Sequence, residues 1–417
     1  MESMDSRQAI DRAARDSYGR LVAFLAARSR DMAASEDALA DAFRKALERW
    51  PVDGIPDNPE AWLLTTARRR LTDDARRSRV RSSAQSTLLA ITAQAQELAN
   101  SELFPDERLK LLFICAHPAI AAPARTPLML QTVLGLDAAR IASAFLVKPA
   151  AMGQRLGRAK AKIRDAGISF ELPERAELET RLHAVLEAIY ACYGSGWDDI
   201  GGSDPRRKGL AGEAIELTRL LAQLLPAPEV RGLLALMLYC ESRREARRSP
   251  AGDYIPLLEQ DPAKWSRPMI LEANRILESA ERSGEIGPFQ LEAAIQCIHA
   301  RRAATGMTDW AAIAGLYEGL VRIAPTIGAM VGRSAACGEA YGADSGLALL
   351  EAIPRDMVTN YQPYWAVSAH LFRRTGRHTE AVAAYRRAIG LCEDAGMREF
   401  LSRQVVQLLD KDGHTAM

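Results

Sequence analysis

The chain has few cysteines and no way to pair them. Its 6 cysteines among 417 residues are scattered at positions 115, 192, 240, 297, 337 and 392, with no CxxC. That excludes a disulfide framework and a cysteine zinc cluster, and it fits a reducing cytoplasm. Cys115 and His117 stand two apart, but no second ligand pair accompanies them, so no metal is expected. No run of about eighteen apolar residues occurs, so no membrane span is expected. The opening MESMDSRQAIDRAARD is charged and lacks an apolar core, so it does not read as a leader. Also missing are a nucleophile beside a base, a metal set and paired carboxylates in a recognisable frame, so neither enzyme chemistry nor a cofactor is expected. Asp73 and Asp74 are adjacent and so point to different faces of a helix, which suits a solvated or arginine-paired role. The stretch GSGWDDIGGSDPRRKG is rich in glycine, yet no strand leads into it and no Gly-Lys-Ser or Gly-Lys-Thr follows. It reads as an exposed loop and not a phosphate cradle.

Net charge is nearly absent too, at +1, but the charge is unevenly placed. Between Arg68 and Arg81 lie seven arginines against two acids, while Glu171–Glu187 and Glu272–Glu292 lean acidic. A basic N-terminal part and a near-neutral remainder point to a polyanion partner for the first part only.

The periodicity is helical throughout, and the expected fold is all-α. Residues 7–50 read as two or three helices, with Ala14, Tyr18, Leu21, Val22 and Leu25 inward, then Ala38, Leu39, Ala42, Phe43, Ala46 and Leu47. Ser35 is placed as N-cap of the second group, and Trp50-Pro51 as its end. After a proline-rich loop, AWLLTTARRRLTDDARRSR forms a helix packed through Trp62, Leu63, Thr66, Leu71 and Ala75, with its arginines elsewhere. Residues 80–100 turn to Ser, Ala, Gln and Thr and read as a flexible linker. Residues 105–134 are helical again, with Pro118, Pro123 and Pro127 as interruptions.

The most informative stretch is GLDAARIASAFLVKPAAMGQRLGRAKAKIRDAG. Asp137 caps a short helix through Phe145 with Ile141, Ala142 and Phe145 inward. Pro149 opens a second helix to Asp165, with Met152, Leu156, Ala159 and Ile163 inward and Gly167 as its stop. Its other face carries Arg155, Arg158, Lys160, Lys162 and Arg164. A helix, a short turn and a basic second helix have the shape of a helix-turn-helix, although a hairpin with a merely solvated basic face has the same pattern.

Two basic helical modules joined by a linker resemble regions two and four of the extracytoplasmic-function sigma factors of bacterial RNA polymerase. DALADAFRKALERW is similar to the family's core-binding helix, NPEAWLLTTARRRLTDDARR to its promoter-melting helix, and residues 106–168 to region four of the subgroup with a long helical-repeat extension. The resemblance implies a region-two domain over 1–80, a linker over 81–101, a region-four domain over 102–169 and a tetratricopeptide-like extension over 170–417. It also implies a transcription-initiation factor located in the cytoplasm, with core polymerase (its β′ clamp helices and β flap) and promoter DNA as partners.

By the same resemblance, Asp37, Asp41, Phe43 and Arg44 would meet the polymerase. Asp57, Asn58, Trp62, Arg68, Arg69, Asp73, Arg76 and Arg77 would meet the −10 element. Lys148, Gln154, Arg155, Arg158, Lys160 and Lys162 would meet the −35 element. Departures are Arg69 where an asparagine is common, the turn Val147-Lys148-Pro149-Ala150-Ala151, Arg140 at a place usually acidic, and Pro127 within a helix that is usually continuous. Gly153 and Gly157 remove side chains from the exposed side of the second helix.

From Leu178 on, amphipathic helices follow one another. Trp365, Ala369, Phe372, Ala381, Tyr385 and Ala388 match the packing positions of a roughly 34-residue tetratricopeptide unit, and Ile313, Tyr317, Leu320 and Pro325 echo an earlier one. Such a stack offers a groove for a peptide or for the N-terminal modules, or only packs; by resemblance it would regulate those modules in cis. The alternative reading is a tetratricopeptide-type interaction scaffold whose helix-turn-helix is vestigial or docks protein.

Overall fold

The computed structural model describes residues 2–79, 107–145, 147–198 and 209–415. Among them regular structure is all-helical: nineteen α-helices and three short 3-10 turns, with one isolated β-bridge between Arg248 and Tyr254. The linker expected over 81–101 lies outside the described residues, as do most of the GSGWDDIGGSDPRRKG positions; Gly194–Asp198 of that stretch are helical, not loop. The chain divides into two units, Met1–Gly196 with Asp204–Leu220, and Trp197–Ser203 with Leu221–Met417.

The first unit begins with α1 (Glu2–Ser29), α2 (Met32–Asp53) and α3 (Pro59–Arg79). The cap of α2 is Asp31, whose carboxylate accepts from the Ala34 N–H at 3.0 Å, and not Ser35, whose hydroxyl bonds back to the Asp31 carbonyl. Nor does α2 end at Trp50-Pro51. The proline ring deprives only the Leu47 carbonyl of its donor, and that residue lies open to water, so the helix continues to Asp53. Leu21, Val22, Phe24, Leu25, Leu39, Ala42, Ala46, Trp50, Leu63, Leu64 and Ala67 are buried between the three helices. Leu47 and Ala14, expected inward, are exposed. Glu60 ties α3 back to α1 through Arg20 at 2.6 Å and through Ser17.

Next come α4 (Arg108–Cys115), α5 (Ala122–Thr132), α6 (Ala138–Ala144) and α7 (Pro149–Asp165). Pro127 does not break α5. It removes the donor for the Pro123 carbonyl, to which Arg155 of α7 donates instead at 3.5 Å. The two helices on either side of residues 145–148 form with the capping read from their sequence. Asp137 accepts from the Arg140 N–H, Pro149 opens α7, and Gly167 closes it at φ +60°. Met152, Leu156, Ala159 and Ile163 are buried, but Phe145 is not, because the helix ends at Ala144 and Phe145 falls on the cap.

Two further helices, α8 (Arg175–Asp198) and α9 (Leu210–Leu224), join this unit through buried charge. Arg181 of α8 donates to the Phe113 carbonyl at 3.3 Å, and Glu213 of α9 meets Arg108 at 2.7 Å.

The second unit stacks α10 (Pro228–Glu241), α11 (Arg267–Glu281), α12 (Pro288–Thr305), α13 (Trp310–Ile323), α14 (Ile327–Tyr341), α15 (Ala343–Glu351), α16 (Arg355–Val358), α17 (Gln362–Arg374), α18 (His378–Leu391) and α19 (Ala395–Thr415). Sequential helices pack as neighbours, and small residues let them approach. A side chain at Gly232 of α10 would put its Cβ 2.7 Å from the Gln290 amide of α12. Ala369, Ala381, Tyr385 and Ala388 are buried in one cluster with Trp365 and Phe372 against it. Ile313 and Leu320 belong to another, with Tyr317 against it.

Candidate polymerase and nucleic-acid interface

The polymerase-facing candidates lie on α2. Asp41 is almost covered and gathers three cations: Arg44 at 2.7 Å, Lys45 at 3.0 Å and Arg70 of α3 at 3.1 Å. Hydrogen bonds from Arg44 and Lys45 hold its carboxyl well below the usual carboxylate range. Asp41 therefore organises the surface, whereas Asp37 and Arg44 are exposed on it. Phe43 is half-buried and stacks on Tyr18 of α1, with ring centroids 6.5 Å apart. Burial, reinforced by Glu36 and Asp37, pushes the Tyr18 hydroxyl far above its ordinary pKa, so it stays neutral.

The −10 candidates follow the loop into α3. Asn58 uses its side chain as a cap, accepting from the Ala61 N–H at 3.0 Å, with exposed Asp57 beside it. Trp62 is half-buried, its ring edge-on to Trp50 at 5.5 Å; it is a packing residue with one face remaining. Arg68 is half-buried over the Phe24 ring, and burial with Arg28 nearby lowers its pKa to about 10. Arg69 and Asp73 are exposed. Arg76 and Arg77 lie on α3, but their side chains are outside the described residues.

Of the −35 candidates, Lys148, Gln154, Arg158 and Lys162 are exposed on α7 or at its start, and Arg155 is half-buried by its bond to Pro123. Nothing lies within 4 Å of a Cβ built at Gly153 or Gly157, so that face is open backbone. Lys160 differs. It is turned inward and pairs with Glu36 of α2, both side chains mostly covered. Burial raises the Glu36 pKa, and Lys160 opposes that rise without cancelling it. Sequence reading gave no role to Glu36 or Arg70 and placed Tyr18 only as a packing residue; only the acidic start of SEDALAD hinted at the first.

Among the described residues no group of three or more His, Cys, Asp or Glu side chains has metal-binding geometry, and no helix is long and apolar enough to cross a membrane. The six cysteines are free, and burial pushes the thiols of Cys115 and Cys192 upward.

Comparison with known proteins adds three findings. The family described as sigma-70 region 2 matches residues 14–81, which span most of α1 and all of α2 and α3. A family of unknown function, DUF6596, matches residues 181–281. An uncharacterised protein of Rhizobium meliloti (strain 1021) is 37% identical over 385 residues, covering 91% of each chain. No solved structure matches. The chain belongs to one family with that Rhizobium protein, and its N-terminal part is a sigma-70 region 2, the domain of sigma-70 family sigma factors.

Proposed function

We propose that the chain is an alternative sigma factor of the extracytoplasmic-function type. It binds core RNA polymerase through the α2 surface, meets the −10 element with α3 and its preceding loop, and meets the −35 element with α7. The observation that carries this reading is the succession of a sigma-70 region 2 and a capped helix-turn-helix whose second helix exposes Gln154, Arg158 and Lys162. Exposed basic residues on such a helix suit phosphate, and Gln154 is a base-edge reader. The resting chain is closed. Lys160 is held by Glu36, so −35 binding through this lysine requires that pair to part. The helices from α10 on form a tetratricopeptide-like array that regulates the N-terminal helices in cis, in a cytoplasmic protein with no catalytic activity of its own.

The test is gel filtration of the full chain with core bacterial RNA polymerase, beside the variants Asp37→Arg and Glu36→Gln. Co-elution of the wild type, strengthened by Glu36→Gln and lost in Asp37→Arg, is the expected result. If neither the wild type nor Glu36→Gln co-elutes while both are folded, the sigma reading fails and the interaction scaffold takes its place.

A further inference from the structure

The second unit contains a chamber of about 910 Å³ between its helices and a strap of its own chain. The strap is residues 253–259. At one end Arg302 of α12 donates to the carbonyls of Leu258 and Gln260, both at 2.7 Å. At the other, Tyr254 lies edge-on to Phe400 of α19 at 5.7 Å, and Arg248, bridged to Tyr254, pairs with Asp394 at 2.5 Å. The strap lines one side of the chamber, with the helices on the others. The space left behind it is within the usual range for a small-molecule pocket, roughly 300–1,000 Å³.

The walls are aromatic and the floor is small. Trp310, Tyr317, Tyr385 and Phe400 face it, with Gly332, Ala335 and Ala366 beneath. A side chain at Gly332 would put its Cβ 2.5 Å from the Tyr317 ring, so this glycine seats that wall. Polar groups reach the same space without hydrogen-bond partners among the described residues. His299 and Tyr385 are more than nine-tenths buried, and neither forms a hydrogen bond among the described residues. Burial, with Arg243 and Arg302 near, lowers the His299 pKa to about 4, so a neutral imidazole faces the chamber, able both to donate and to accept.

The charges on the lining nearly cancel. Arg403 lies 3.6 Å from Asp253, and His370 meets Glu339, which Arg374 also holds. Glu259 is exposed. Two lining charges have no opposite charge paired with them among the described residues: Glu259, and Arg373, whose partner is the neutral Gln404 at 2.7 Å.

We propose that this chamber is a binding site for a small, flat aromatic anion, its body between the aromatic walls and its negative group on Arg373. The site is lined by residues of the second unit alone, and its test does not depend on the polymerase and DNA candidates of the first. The probe is 1-anilinonaphthalene-8-sulfonate, with N-phenyl-1-naphthylamine as the uncharged compound of the same skeleton, titrated into the full chain by fluorescence and calorimetry. One sulfonate per chain is expected, bound at least tenfold tighter than the neutral amine. Arg373→Gln should weaken the sulfonate at least tenfold and leave the amine unchanged, and Ala335→Phe should remove both. Circular dichroism checks each fold, and Ala366→Leu replaces Ala335→Phe if the latter unfolds. Sulfonate binding that does not saturate at one per chain overturns the site. Equal binding of both compounds, or sulfonate binding indifferent to Arg373→Gln, overturns the anion.

Discussion

At the scale of single residues, two covered ionisable groups tie stability to pH. Asp41 is held charged by Arg44, Lys45 and Arg70, so its folded pKa lies below the unfolded value. A depressed carboxylate contributes stability above the unfolded pKa of about 3.9 and loses it as pH falls through the folded one. Asp41→Asn should cost about 1–2 kcal/mol at neutral pH, the modest end of the range because its three cations remain solvated; urea melts of the two proteins should converge in acid. His299 acts at milder pH. Its folded pKa, about 4, is below the ordinary imidazole value of about 6.5, so the unfolded chain binds the extra proton between these limits. Stability is full above about 6.5 and declines toward 4. His299→Leu should flatten that decline, measured as the change in urea midpoint from pH 7 to pH 5, and an unchanged slope would clear His299 of the effect. Neither role was legible in the sequence. Asp41 read, by resemblance, as a polymerase-facing acid and not as the centre of an ion cluster, because Arg70, which helps define that cluster, lies on the next helix. His299 read as nothing, because the chamber it faces needs a strap and six helices to exist.

At the scale of elements, helix ends were readable where the signal is local and not where a neighbour supplies it. Asp137, Pro149 and Gly167 fix the start of α6 and both ends of α7 from within a few residues of chain, and those bounds follow from the sequence. Pro51 and Pro127 misled because each deprives a single carbonyl of its donor, and that loss is met by exposure in one case and by Arg155 of another helix in the other. The start of α12 shows the same principle with a larger consequence. Its cap is not its own: Glu229 of α10 accepts from the amides of Phe289 and Gln290, each at 3.1 Å. A carboxylate there satisfies two of the amides that a helix start leaves free and faces the positive end of the dipole. Glu229→Ala should destabilise the fold by about 1–2 kcal/mol, a typical loss for a cap. Glu229→Gln, which keeps an acceptor but no charge, should fall between. Equal midpoints for Glu229→Ala and wild type in thermal melts would rule the cap out as a source of stability. Gly232→Val, at the contact of α10 with the same amides, should be worse than either, since backbone must move to admit it.

At the scale of the whole molecule, the first unit holds its two modules too close for the work proposed for them. Promoter elements named −35 and −10 lie ~25 base pairs apart, or ~85 Å at about 3.4 Å per pair. Yet α7 touches α2 through Lys160 and Glu36, and α1 lies against the backbone after α5, where a Cβ at Gly19 would come within 1.9 Å of the Val133 carbonyl. One chain cannot read both elements in this arrangement, so promoter binding requires the modules to separate. The pairing could not be read from sequence, because its partners stand 124 positions apart and each alone looks like a solvated charge. Gly19→Val tests the step directly. Its side chain cannot share the space of the Val133 carbonyl, so the closed form is disfavoured while the helices of each module keep their own cores. Small-angle scattering should report a larger radius of gyration for this variant, and core polymerase should bind it more tightly. A larger radius without tighter binding would mean that closure does not restrain the polymerase surface. An unchanged radius, in a variant shown folded by circular dichroism, would mean that the modules stay joined by contacts other than this crossing.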